Sequence, residues 1–309
     1  MSNVATATVN AVTVANDFRS RAEVVVYCAY GDESRDDTKK RVYAVAGVFG
    51  NGDDWQDIAG PWKERLGGKI FHASDCEFGH NDFSGMPPGE NRRLYRDLTQ
   101  LVAKSKLCSH GVAVNVREFK ECFPNEFEHA PYIWAFGDVV QSMSELAHVS
   151  MPSGSVDITF DTNNDIEYAA NEIYHFMTHS VKVRHRIHLY DRVSFACRRT
   201  VGIQIADLIA RETMKHMDKD LRPDPIPTRL SFKALNDTMR FAFIPLGKQD
   251  FERKKIDFFQ SPVSSRANLA AYHKWLEDKN LRDCLVNQIE FLKEFPEMVD
   301  DASPDPAAS

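Results

Sequence analysis

Three apolar runs in this 309-residue chain end in carboxylates. Val24-Val25-Val26-Tyr27-Cys28-Ala29 leads to Gly31-Asp32-Glu33-Ser34, Lys69-Ile70-Phe71-His72-Ala73 leads to Ser74-Asp75-Cys76-Glu77, and Val156-Asp157-Ile158-Thr159-Phe160 stops at Asp161. A further acid, Asp207, falls inside Val201-Gly202-Ile203-Gln204-Ile205-Ala206-Asp207-Leu208-Ile209-Ala210. Hard oxygen ligands from neighbouring strand ends, completed by one carboxylate from a helix, are what Mg²⁺ or Mn²⁺ requires. Two such ions would clamp the attacking and leaving oxygens of a phosphodiester. Asp and Ser also favour plain turns, because their side chains bond the local backbone, so each strand end alone has a second explanation.

Asp207 is harder to explain as a turn. Read as a helix, its segment puts Ile203, Ala206, Ala210 and Met214 on the face of Asp207, so the acid lies in an apolar surface. A buried carboxylate costs several kcal/mol unless a salt bridge, backbone donors or a metal ion compensates it. Arg211, one turn on, is the structural candidate; a metal shared with Asp32, Asp75 and Asp161 is the functional one.

Between the last strand-end acid and this helix lies a basic cluster, Lys182, Arg184, His185, Arg186, His188, Arg192, Arg198 and Arg199. Positive charge beside an acidic pocket suits a phosphate backbone, although a charge run is more often simply a solvated face. His72 is placed to contact a phosphate or act as a general acid, or else to be a satisfied structural histidine. Asp161 to Glu172 imitates a calcium loop, but Ile166 replaces the glycine that its sharp turn needs. His175 and His179 share a helical face with no third zinc ligand evident. Neither a glycine-rich phosphate loop nor a nucleophile elbow occurs, which disfavours P-loop and serine-hydrolase chemistry.

The elements that must position these groups follow from apolar periodicity. Strands are expected at 24–29, 42–49, 69–73, 109–116 and 156–160, with one or two short strands in 186–195. Helices are expected from Pro61 to Leu66, Glu90 to Lys106, Tyr132 to His148, Ile166 to His179 and Val201 to Met217, then Asn268 to Trp275 and Leu281 to Phe291. Strands first, then strands alternating with helices, indicate a mixed α/β sheet. The organisation reads as a flexible arm at 1–20, one α/β domain at 21–218, a proline-containing extension at 219–262, and closing helices with an acidic disordered tail at 263–309. Those closing helices could pair two copies as a homodimer.

Composition is that of an ordinary soluble protein, 43% apolar and 27% charged, and the formal charge of −7 argues against coating nucleic acid by bulk electrostatics. No apolar run is long enough to span a membrane, no signal peptide is expected, and six scattered cysteines without a CxxC pair suit a reducing cytoplasm.

Taken in order, Asp32-Glu33-Ser34, Tyr43-Ala44-Val45-Ala46-Gly47-Val48, Phe71-His72-Ala73-Ser74-Asp75, Phe160-Asp161 and Gln204-Ile205-Ala206-Asp207-Leu208-Ile209-Ala210 resemble the domain-of-unknown-function 3800 family over roughly Val24 to Lys215. The resemblance implies an RNase H-like sheet flanked by helices. It makes Asp32 and Asp207 the leading metal ligands, with Glu33, His72, Asp75 and Asp161 behind them, and associates the chain with mobile-element or defence settings. The expected activity is hydrolysis of DNA or RNA with Mg²⁺ or Mn²⁺, and Arg184, Arg186, Arg192, Arg198 and Arg199 would meet the nucleic acid. The chain departs from the family at Arg35, where glycine is common, and at Ala196-Cys197-Arg198-Arg199, where an acidic residue often precedes the glutamine helix. Those departures support the alternative of an inactive scaffold that binds nucleic acid or protein.

Overall fold

The computed structural model describes residues 26–38, 40–126, 128–150, 155–163, 166–179, 193–224, 226–253, 266–281, 290–291 and 294–295. The expected arm at 1–20, the residues Lys182 to Arg192 with Arg184, Arg186 and Arg192, and the acidic tail lie outside them.

A β-branched and aromatic run builds β1 (Val26–Arg35), and a nine-residue buried run builds β2 (Val42–Gly50), antiparallel to it. The polar tip between them is tied by Asp36, whose carboxylate accepts the backbone N–H groups of Thr38, Lys40, Arg41 and Val42. β3 (Cys108–Asn115) pairs antiparallel with β2 and completes a meander. β4 (Ser155–Asp161) lies parallel to β1, and β5 (Ser194–Ala196) parallel to β4. β6 (Phe241–Leu246) closes the far edge beside β3, giving the order β5-β4-β1-β2-β3-β6. This is the expected mixed α/β sheet, a three-strand meander followed by alternating helices and strands.

Four expectations need correction. Residues 69–72 form no strand; Phe71 instead inserts its ring among Trp62, Phe83 and Tyr95, and the third strand of the meander is 108–115. Asp32 does not sit on a turn, because β1 continues through Glu33, Ser34 and Arg35 against Val45, Ala44 and Tyr43. Pro61 does not open a helix; it lies inside α1 (Gly52–Leu66), which starts earlier at a capping box between Asn51 and Asp54. The stretch 219–262 holds α8 (Leu230–Asn236) as well as β6, and both pack into the cores described next.

Helices cover both sheet faces. On one side α5 (Ala130–Ser150) and α6 (Glu167–His179) bury Ile133, Phe136, Val140, Met143 and Tyr174 against β1 to β4. On the other, α7 (Val201–Leu221) lies across β1, β2 and β3, and is itself covered by α1, α2 (Ala73–Phe78) and α3 (Pro88–Lys104). α7 is therefore buried without a break from Gly202 to Met214, beyond the apolar face expected around Asp207. Its close seat on β1 depends on Gly202: a Cβ there would lie 2.2 Å from the Tyr30 ring. α4 (Val116–Cys122) follows β3, and α9 (Arg266–Lys279) contributes Tyr272, Trp275 and Leu276 to a small separate core with Phe291.

Candidate acidic site

Alternation along β1 decides which carboxylate faces which layer. Tyr30, with Ala46 of the neighbouring strand, belongs to the α7 side, whereas Tyr27 and Ala29 face α5. Asp32, paired with Ala46, therefore points toward α7, and Glu33 toward the opposite face. Asp32 is 5% exposed, and its one hydrogen bond among the described residues is from the Glu33 N–H to Oδ1, at 2.7 Å. Burial, then Asp207, Glu33 and Asp161, pushes its carboxyl well above the usual range.

Asp207 comes from the middle of α7, and its Oδ2 accepts the backbone N–H of Ala73 at 2.6 Å. Ala73 is the first residue of α2, whose N-cap His72 makes no capping bond of its own. An acid from another helix thus satisfies an N-terminal donor of α2 and faces the positive end of its dipole. Burial still holds Asp207 above its ordinary value, against the pull of His72, Ala73, Arg198 and Arg211. Arg211, the expected structural partner, turns away: its guanidinium grips Glu77 at 2.8 and 3.0 Å. Glu77 consequently belongs to a structural network and not to the acidic site.

Asp161, 8% exposed at the end of β4, accepts from Arg198 Nε at 3.2 Å. Arg198 was expected on the nucleic acid; here it sits on a carboxylate, its side chain 54% exposed. Glu33 approaches from its own face and is held by Asn163 Nδ2 at 2.5 Å. Asn163 was not foreseen, although it lies two residues beyond Asp161 in Asp161-Thr162-Asn163. Gln204 belongs to the α7 motif, where its residue type alone assigns it no role. It proves to be buried, accepting from Trp62 Nε1 at 2.9 Å and donating Nε2 to the Arg198 carbonyl at 2.8 Å.

Asp75 is on α2 and not at a strand end. Its Oδ2 lies 3.0 Å from His72 Nδ1 and accepts from Asn81 Nδ2 at 2.8 Å. Burial raises the Asp75 carboxyl, but Asn81 and His72 outweigh it and hold it below its ordinary value. His72, Asp75, Asn81, Asp161, Arg198 and Arg199 line one open cleft of about 480 Å³. The structure thus brings Asp161 and Asp207 within electrostatic reach of Asp32, sets Glu33 across the strand, and leaves Asp75 beside His72 on the rim. Among the described residues no three His, Cys, Asp or Glu side chains already converge as a ligand set. The donors are nonetheless all carboxylate oxygens, which suits a hard divalent ion.

No family model matches the chain, and no curated protein matches it. Among solved structures it is similar to a chain from the structure of the PCNA:RNase HII complex from Archaeoglobus fulgidus. That similarity has 12% identity and a TM-score of 0.38, over 69% of this chain and 86% of the other. No helix among the described residues is long and apolar enough to cross a membrane.

Proposed function

We propose that this protein hydrolyses phosphodiester bonds in nucleic acid, with Mg²⁺ or Mn²⁺ held by Asp32, Asp161 and Asp207. Asp32 carries the reading. A carboxylate 5% exposed, with no ion-pair partner among the described residues and other acids around it, needs a proton or a cation to be tolerable. The ordered resemblance to the domain-of-unknown-function 3800 family supports the same choice.

Bound there, the divalent ion would supply activation of a water molecule and neutralise charge on the leaving oxygen. The chain's own residues do the rest. β1 and α7 hold Asp32 and Asp207 on rigid elements, and the Ala73 N–H fixes the rotamer of Asp207. Asn163 orients Glu33. His72, tied through Nδ1 to Asp75, keeps Nε2 for the cleft, where its protonated form donates to a phosphate or leaving oxygen. Arg199 on the same wall supplies charge for the backbone.

The Arg198 to Asp161 ion pair favours a second reading, a nucleic-acid or protein scaffold whose acids are neutralised from within. Labelled DNA, RNA and hybrid duplexes in Mg²⁺ or Mn²⁺ decide between them. The nuclease reading expects cleavage that Asp32→Asn and Asp207→Asn both abolish. Inert wild-type protein whose melting temperature Mn²⁺ leaves unchanged establishes the scaffold.

A further inference from the structure

We infer that Arg198 is a resident cation of the acidic site, seated by Gln204, which yields Asp161 to a divalent ion and then faces the substrate phosphate. The inference rests on the metal-site reading above and concerns how that site is regulated.

The backbone and the side chain of Arg198 are held very differently. Its carbonyl accepts from Gln204 Nε2 at 2.8 Å, and Gln204 is buried, one turn before Asp207 on α7, with its own oxygen taken by the indole N–H of Trp62. Both ends of that carboxamide are committed, so the backbone at Arg198 is pinned to the helix that carries Asp207. The side chain, by contrast, is 54% exposed and bonds Asp161 through Nε at 3.2 Å, not as a two-pronged fork. A single exposed contact of this kind is weak and readily exchanged.

Charge explains why the contact forms. Asp32, Asp161 and Asp207 all act on one another or on Arg198, and among the described residues Arg198 alone forms an ion pair with any of the three. Without a divalent ion the guanidinium is the cation at hand. A divalent ion would compete for the same Asp161 oxygens, and the displaced side chain stays in the cleft, because its backbone is pinned. It then lies beside Arg199 and His72 on the wall that substrate must touch. Gln204 is on this account a positioning residue: it acts through Arg198 and touches neither ion nor substrate.

The test is Mn²⁺ affinity, read from the electron paramagnetic resonance signal of free Mn²⁺, in wild type, Arg198→Gln, Arg199→Gln, Gln204→Met and Asp32→Asn. Removing the competitor should tighten Mn²⁺ by roughly fivefold or more in Arg198→Gln. Arg199→Gln should leave affinity unchanged. Gln204→Met, checked by melting to be folded, should tighten it too, with no further gain in the Arg198→Gln/Gln204→Met double variant, since both act through one guanidinium. Equal or weaker binding in Arg198→Gln, with Asp32→Asn abolishing binding, overturns the resident-cation role and leaves the metal site standing. Absence of Mn²⁺ binding in every protein, Arg198→Gln included, overturns both.

Discussion

Of the three buried acids on α7, Asp207 and Glu212 lie five residues apart and have been given different surroundings. Around Glu212, which is fully buried, Tyr95 and Ser231 hydroxyls donate at 2.8 and 2.7 Å, and Arg229 lies 3.0 Å away. Arg229 also reaches Glu77 at 2.6 Å, and Arg211 completes the set, so two carboxylates meet two guanidiniums. Burial pushes Glu77 upward, yet Arg229 and Arg211 hold it below its ordinary range. Around Asp207 and Asp32 the acids outnumber the cations, and burial and mutual repulsion push Asp32 well above its range. Both clusters lie along α7, Asp207 against the first residue of α2 and Glu212 against Tyr95 of α3. Burial alone therefore does not mark a site; the difference lies in whether the charge is balanced within the protein.

That contrast can be broken from either end. The largest expected effect is at the balanced end: Arg229→Met leaves Glu77 and Glu212 without their shared cation and should cost about 3 kcal/mol, seen as a lower urea midpoint. At the unbalanced end, Asp32→Asn should abolish cleavage by about a hundredfold or more in single-turnover assays while raising the melting temperature of the metal-free protein. If both variants destabilise alike, the two clusters are the same kind of structure.

The pH dependence sharpens the contrast because its sign differs. Folding raises the Asp32 pKa above 3.8, so its contribution is intact below that value and lost as pH rises through the folded-state value. Folding lowers the Glu77 pKa below 4.5, so its contribution is present above 4.5 and lost as pH falls through the folded-state value. Urea midpoints against pH for wild type, Asp32→Asn and Glu77→Gln, without divalent ions, should give difference curves of opposite slope. A smaller effect tests the scaffold common to both clusters. Gly202→Ala pushes α7 off the Tyr30 ring and should cost about 1–3 kcal/mol in thermal melts. The smallest is Asp75→Asn, which should lower cleavage roughly tenfold by loosening His72 and leave Mn²⁺ affinity unchanged.

Much of this was legible in the residues. The long strands and helices have clear periods, and Asp32, Asp161 and Asp207 were singled out by acids following or interrupting apolar runs. What misled were segments where local chemistry and tertiary role diverge. Glu33-Ser34-Arg35 looks like a turn, yet the partner strand supplies Val45, Ala44 and Tyr43 and keeps the ladder going. Ile70-Phe71 has strand-like composition, but Phe71 is buried by ring packing and not by pairing. Phe241 to Leu246 is not read as a strand from the sequence, and its Pro245 is tolerated because β6 lies at the sheet edge. Asn163 and Gln204 carried no signal by type: Asn163 meets Glu33, 130 residues away, and Gln204 ties Trp62, 142 residues away, to the Arg198 carbonyl.

The burial of α7 has a consequence for biosynthesis. The meander and α1 to α3 leave the ribosome first, but the helix that fills the space between them is encoded far downstream. At ordinary elongation rates roughly 10 to 40 s separate the end of β1 from the end of α7. Throughout that interval the α7-facing side of β2, with Ala46 and Val48, lacks the helix that lies across it. The core on this side of the sheet can therefore close only once Leu221 has emerged, late in the synthesis of the chain.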